Sequence, residues 1–178
     1  GKIWFGTING LYLFNPADGE LSVYQHSQAD PYSLPNNSIW VITGDRQQNV
    51  WVGTYSGMLS YVNVDEGDAF QTYHAQDGGL NSPLVSTFVE NEDYLWIGME
   101  GGGVDRMDKR TGKFQNVIGA GQMSSLNVKS MALNSKNDLW VSTFRGGMNL
   151  FDASGRKKLN LLHAAGDTTS LLVNSIRK

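Results

Sequence analysis

The chain has 178 residues, 40% hydrophobic and 17% charged, with a formal net charge of -3 and no cysteine. That balance suits a folded chain and argues against disorder. Singly scattered Lys and Arg argue against nucleic-acid binding, and the missing cysteines exclude a disulfide scaffold and a thiolate metal site. No apolar run approaches the roughly 20 residues of a membrane span. The first element, Ile3-Trp4-Phe5-Gly6-Thr7, recurs as Val50-Trp51-Val52-Gly53-Thr54, Leu95-Trp96-Ile97-Gly98-Met99 and Leu139-Trp140-Val141-Ser142-Thr143. The tryptophan separations are 47, 45 and 44 residues. A period of that length marks a repeat architecture whose single unit cannot bury its own apolar face.

The second copy shows the unit in full. Asn37 to Ile42 is expected as a short buried strand, Gly44 to Asn49 as a polar turn and Val50 to Thr54 as a second strand. Tyr55-Ser56-Gly57 reads as a tight turn, Met58 to Val62 as a third strand, Asn63 to Asp68 as an acidic turn and Ala69 to His74 as a fourth strand. β-branched and aromatic residues fill the strands, glycine and acidic residues fill the turns, and no segment has a helical period. Four antiparallel strands joined by hairpins make one propeller blade. Asn15 to Gly19, Asp108 to Gly112 and Asp152 to Gly155 take the turn between third and fourth strands in the other copies. Loops at Ser33 to Ile39, Gly79 to Val85, Ser125 to Val128 and Ser170 to Ile176 join the units, and the third is three residues shorter. With the strand anchored on Val128, the loss falls in the loop.

The expected fold is therefore an all-β propeller fragment of about four blades, with units near 1–32, 33–78, 79–124 and 125–169 and a next blade starting at 170–178. The first unit lacks its inner strand, and an inner strand around Val173 to Ile176 lacks its blade. Both ends cut the period, so an excerpt of a longer protein is expected. Exchange of the end strands between two chains would then make a dimer.

The composite pattern of Ser-Leu, Asn-x-Ile or Asn-x-Val, Leu-Trp-Ile-Gly-Thr, Gly-Gly and Asp-x-x-Thr-Gly-x-Phe resembles the two-component regulator propeller repeat over essentially the whole chain. It departs at Gly98-Met99 and Ser142-Thr143, and Asp-x-x-Thr-Gly is intact only from Asp108 to Gly112. The resemblance implies a periplasmic sensor region of a hybrid two-component histidine kinase of Bacteroides-type bacteria, anchored in the inner membrane and dimeric. It implies oligosaccharides released from complex glycans as ligands, control of the genes for their use, and kinase activity elsewhere in the longer protein. A scaffold or protein-interaction propeller is the alternative.

Trp4, Trp51, Trp96 and Trp140 are expected to pack between blades, because each holds the same strand position. His26, His74 and His163 fall 22, 23 and 23 residues after their tryptophans, on outer strands of separate blades, too far apart to share a metal. Gly98 to Gly103 opens a strand, which excludes a phosphate-binding helix start. Glu90, Glu92, Asp93, Asp65, Glu66 and Asp68 read as solvated turns. No acid, base or metal set converges, so no catalytic residue, metal or cofactor is expected. The candidate ligand surface is the propeller rim. Asn9, Tyr55, Glu100 and Arg145 are assigned there to one position of the turn between second and third strands. Tyr32, Asn36, Asn37, Asn81 and Asn127 come from the loops between blades.

Overall fold

The structure is a computed structural model that describes residues 1–55, 58–63, 67, 69–73 and 79–177. Ser56 and Gly57 of the tight turn, Asp65, Glu66 and Asp68 of the acidic turn, and His74 lie outside the described residues. The chain forms two compact units, Gly1–Asp77 with Pro83–Val85 and Gly78–Ser82 with Ser86–Lys178.

The first unit holds a three-stranded sheet of β1 (Ile3–Thr7), β2 (Gly10–Phe14) and β3 (Leu21–Tyr24), and a four-stranded sheet of β4 (Ile39–Gly44), β5 (Asn49–Thr54), β6 (Leu59–Asn63) and β7 (Gln71–Tyr73). The second sheet group is β8 (Val85–Glu90), β9 (Tyr94–Met99), β10 (Gly103–Asp108) and β11 (Phe114–Ile118), followed by β12 (Val128–Leu133), β13 (Leu139–Thr143), β14 (Met148–Phe151) and β15 (Lys157–Leu161). Every sheet runs in sequence order, and neighbouring strands pair antiparallel. The first sheet lacks an inner strand, as expected. β12 opens at Val128 opposite Thr143, just as β4 opens at Ile39 opposite Thr54, so the shortened loop and not the strand absorbs the missing residues.

Two of the strand starts that differ from the sequence expectation have a local cause. β4 starts at Ile39 because the two residues before it serve the loop: Asn37 Oδ1 accepts the His26 N–H at 2.6 Å, and the Ser38 N–H donates to Asn36 Oδ1 at 2.8 Å. β7 starts at Gln71 because the Phe70 N–H donates to the Tyr32 carbonyl at 2.9 Å, outside the sheet. The expected inner strand around Val173 to Ile176 forms no strand. Its Asn174 carbonyl instead accepts the Gly147 N–H, and its Ile176 N–H donates to the Thr143 carbonyl.

Each unit closes its own core. In the first, Leu11, Leu34, Val50, Val52, Val62 and Phe70 are buried between the two sheets, with Trp4 and Tyr24 packed against them. In the second, Trp96 meets Val104, Ile118, Val128, Leu139, Val141 and Phe151. Close approach of the sheets needs a glycine two residues after the tryptophan. A methyl group at Gly98 would stand 2.7 Å from Val128 Cγ1, and one at Gly6 would stand 2.5 Å from Ile39 Cγ2. Of the four repeat tryptophans, Trp51 and Trp96 are buried as expected, whereas Trp4 and Trp140 are only half-buried.

The turns between third and fourth strands are held by their aspartates. Asp152 Oδ1 accepts the Ser154 hydroxyl at 2.6 Å and the Arg156 N–H at 3.0 Å, which hold its carboxyl down to about 2. Asp108 is lowered by the Thr111 N–H, Asp138 by Lys158 and Asp167 by the Thr169 hydroxyl. A folded-state value below the ordinary one stabilises fully above the ordinary carboxylate range and loses that stabilisation as pH falls through the folded value. Melting temperature is therefore expected to drop as pH falls from about 4 towards about 2, with a smaller drop in Asp152→Asn. An Asp152→Asn profile as steep as the parent's would remove Asp152 from the account.

Candidate functional site

Two local devices place side chains at the start of each inner strand. The first is a β-bulge. Ile39 pairs with Thr54 and Val41 with Gly53, which leaves Trp40 over; Val128 pairs with Thr143 and Ser130 with Ser142, which leaves Lys129 over. An extra residue of this kind bends the strand and re-aims its side chain. Ile176 repeats Ile39 and Val128 in sequence, and Arg177 follows it. Trp40, Lys129 and Arg177 thus hold one repeat position.

The second device is the turn after the tryptophan strand. Gly103 pairs with Met99, and the Thr143 N–H donates to the Gly147 carbonyl, so each turn has three residues. Glu100 and Phe144 come first in these turns, and Tyr55 directly follows β5 as Glu100 follows β9. This corrects the sequence assignment: Arg145 is second, equivalent to Gly101 and not to Glu100. Thr7 pairs with Gly10, so Ile8 and Asn9 make a two-residue turn with no third position. Arg145 has φ 62°, where Gly101 has φ 79°. A side chain there accepts strain that glycine avoids, and such strain is commonest at functional positions.

In the second unit these devices converge on a cavity of 560 Å³ lined by Glu100, Asn127, Lys129, Phe144 and Arg177. Glu100 Oε1 and Lys129 Nζ form an ion pair whose side chains are about a quarter exposed. The Phe144 N–H donates to the Asn127 carbonyl at 2.9 Å, and Ser82 Oγ donates to the Glu100 carbonyl at 2.7 Å, so both turns are pinned to the loops beside them. The Arg145 guanidinium lies 5.0 Å from the centre of the Phe144 ring, and the Arg145 N–H donates to Ser175 Oγ. The cavity therefore combines an aromatic face, an amide, a carboxylate and cations. Among the described residues its lining has one carboxylate, Glu100, and that is paired with the Lys129 ammonium.

The other sequence candidates lie elsewhere. Asn9 is exposed; its N–H donates to Thr7 Oγ1 and its carbonyl accepts Gln25 Nε2. Tyr55 is exposed and stands 5.2 Å from the Trp40 ring, also exposed, in the first unit. Tyr32 is exposed at a loop held by Asp30. Asn36 and Asn37 spend their side-chain oxygens on the loop, as described above. Asn81 is structural: its N–H and Nδ2 donate, each at 2.8 Å, to the two oxygens of Asp105, which is fully buried and also accepts Asn116 Nδ2. His26 Nδ1 and His163 Nδ1 lie 2.7 Å from the Leu34 and Leu171 carbonyls, so both rings fasten inter-blade loops. Of the sequence candidates, the structure brings Glu100 and Asn127 together, with Arg145 beside them. Lys129, Phe144 and Arg177 were missed. The available signal was the residue after each strand-opening Ile or Val, which departs in chemistry from the strand around it.

Residues 33–56 match the family model described as the two component regulator propeller. Residues 33–56 carry one copy of the two-component regulator propeller repeat. The matched copy runs from Ser33 through the Trp40 bulge to the turn after Tyr55, so both site-building devices belong to the repeat. No curated protein matches the sequence. Among solved structures, the extracellular domain of BT4673 from B. thetaiotaomicron, a hybrid two component system, is similar with 26% identity and a TM-score of 0.80 over 98% of this chain. A second structure of the BT4673 extracellular domain, there described as a one component system, has 25% identity and a TM-score of 0.78, also over 98% of this chain. The extracellular domain of the hybrid two component system BT3049 from the same organism has 22% identity and a TM-score of 0.61 over 99% of this chain, and shows the fold alone. The repeat chain spans 23% of each BT4673 structure and 29% of the BT3049 one. Its fold is that of a β-propeller fragment.

Proposed function

We propose that this chain is a ligand-sensing propeller module from the extracytoplasmic sensor region of a hybrid two-component system, and that its ligand is an oligosaccharide. The repeat and the likeness to extracellular domains of such systems support the sensor part. The observation that carries the ligand part is the cavity, where the Phe144 ring stands beside Asn127 and the Glu100–Lys129 pair. A sugar has an apolar ring face and a rim of hydroxyls, and an aromatic ring flanked by amide, carboxylate and ammonium groups answers both. In this reading the module has no enzymatic step and no cofactor. It is periplasmic and part of an inner-membrane protein whose kinase lies elsewhere, and it reports glycan fragments to the genes that use them.

A second reading, a protein-interaction propeller with no ligand site in this chain, is favoured by one feature. One face of the first sheet presents Ile3, Phe14 and Leu21 in one cross-strand row and Phe5, Tyr12 and Val23 in the next, with Ile3 and Leu21 both 52% exposed. Such a face suits a second copy or another domain.

Titration calorimetry of the chain with a panel of plant and host oligosaccharides separates the two. Sensing predicts heat with at least one glycan class and a loss of about tenfold or more in affinity for Phe144→Ala, about 1.4 kcal/mol. A chain that takes up no saccharide but self-associates in light scattering would leave the interaction reading standing alone. Tyr55→Ala and Arg145→Ala are expected to melt within about 0.5 kcal/mol of the parent, since both are exposed turn residues. A larger cost would make these turns part of the core.

A further inference from the structure

We propose that the cavity of the second unit selects an acidic saccharide, with Arg177 receiving its carboxylate or sulfate group. This rests on the sensing reading and narrows its ligand. The chain as a whole is negative, at -3, yet the cavity contains two cations and one carboxylate. Lys129 and Glu100 neutralise each other as an ion pair, which leaves the Arg177 charge uncompensated. Arg145 adds a second guanidinium on the Phe144 ring. Among the described residues neither guanidinium has a carboxylate partner.

A planar guanidinium with two parallel N–H groups fits a carboxylate or sulfate edge, and no neutral hydroxyl rewards it equally. The Lys129 ammonium is already engaged by Glu100, which leaves Arg177 as the lining cation open to an anion. A bound acid is thereby oriented with its anionic group at Arg177 and its ring on Phe144. The repeat geometry supports the assignment. Lys129 owes its place to a bulge, and Arg177 follows the next copy of the same strand-opening residue, so two adjacent repeats both present a cation there. Arg145 remains at φ 62° in a turn where the neighbouring repeat has glycine. That is a backbone cost which a guanidinium held against the Phe144 ring would explain.

Calorimetry of the 178-residue chain at low ionic strength tests this with two matched pairs: tri-galacturonate against its methyl ester, and sulfated lactose against lactose. At least one acid is expected to bind about tenfold or more tighter than its neutral partner, with the preference shrinking as salt rises. The acid that binds tells carboxylate from sulfate. Arg177→Gln should abolish most of the preference without changing the melting curve, because Arg177 is exposed; Arg110→Gln, in a distant exposed turn, should retain it. Neutral and acidic partners binding alike, or Arg177→Gln keeping the preference, would overturn the charge selection and leave the sensing reading intact. No binding by any of the four, together with none across the wider glycan panel, would overturn both.

Discussion

Trp96→Ala is expected to destabilise the chain by about 3–5 kcal/mol, among the largest effects of any single substitution. The ring is fully buried among Val104, Ile118, Val128, Leu139, Val141 and Phe151, which come from two sheets of the second unit. Its removal leaves a cavity that two packed sheets cannot close. Trp51→Ala should fall in the same range, since Trp51 is 3% exposed, stacks 4.8 Å from Tyr61 and donates its Nε1–H to Asp45 at 2.7 Å. Trp96 Nε1 has no hydrogen-bond partner among the described residues, so Trp96→Phe should recover most of the loss. Trp140→Ala should cost under half as much as Trp96→Ala, because its ring is half-buried. Urea unfolding followed by circular dichroism ranks all four. A Trp140→Ala cost equal to that of Trp96→Ala would contradict the burial argument.

Asp105→Ala should cost about 3 kcal/mol or more, through lost hydrogen bonds to a carboxylate rather than lost packing. The carboxylate lies fully buried in the third strand of its sheet and accepts the Asn81 N–H, Asn81 Nδ2 and Asn116 Nδ2. Asn81 and Asn116 are exposed and can pair with water once released, so the cost is that of the hydrogen bonds to a charged acceptor, roughly 1.5–3 kcal/mol each. The loop before β8 would be released with it, so amide exchange at Asn81 should accelerate in step with the loss of stability. Asn149 holds the corresponding position of the last sheet; among the described residues Asn160 Nδ2 is its one side-chain donor, and its own Nδ2 has no partner. Asn149→Ala should accordingly cost less than half as much. An Asp105→Ala variant that melts within 0.5 kcal/mol of the parent, where unremarkable surface changes lie, would show that the carboxylate does not anchor the loop.

What the sequence determined by itself was local. The tryptophan period, the alternation within Val50 to Thr54 and the aspartate turns from Asp108 to Gly112 and Asp152 to Gly155 depend on neighbours a few residues apart, so strands and hairpins were legible. So was the unfinished first unit. The site was legible only in part: Glu100 and Asn127 could be found from turn and loop position. Lys129 could not, because a bulge displaces it from the pairing that a regular strand would give. Nor could Phe144 and Arg145 be put in the right order, since only the Thr143–Gly147 hydrogen bond counts the residues in their turn. Arg177 meets Glu100 across one cavity because successive sheets stack within the second unit, and no local pattern encodes that distance. Asn81 looked like a rim residue until tertiary structure placed a buried carboxylate beneath it. Short-range turn chemistry writes itself into sequence, whereas burial, bulge register and convergence of separate repeats are decided by how the sheets pack.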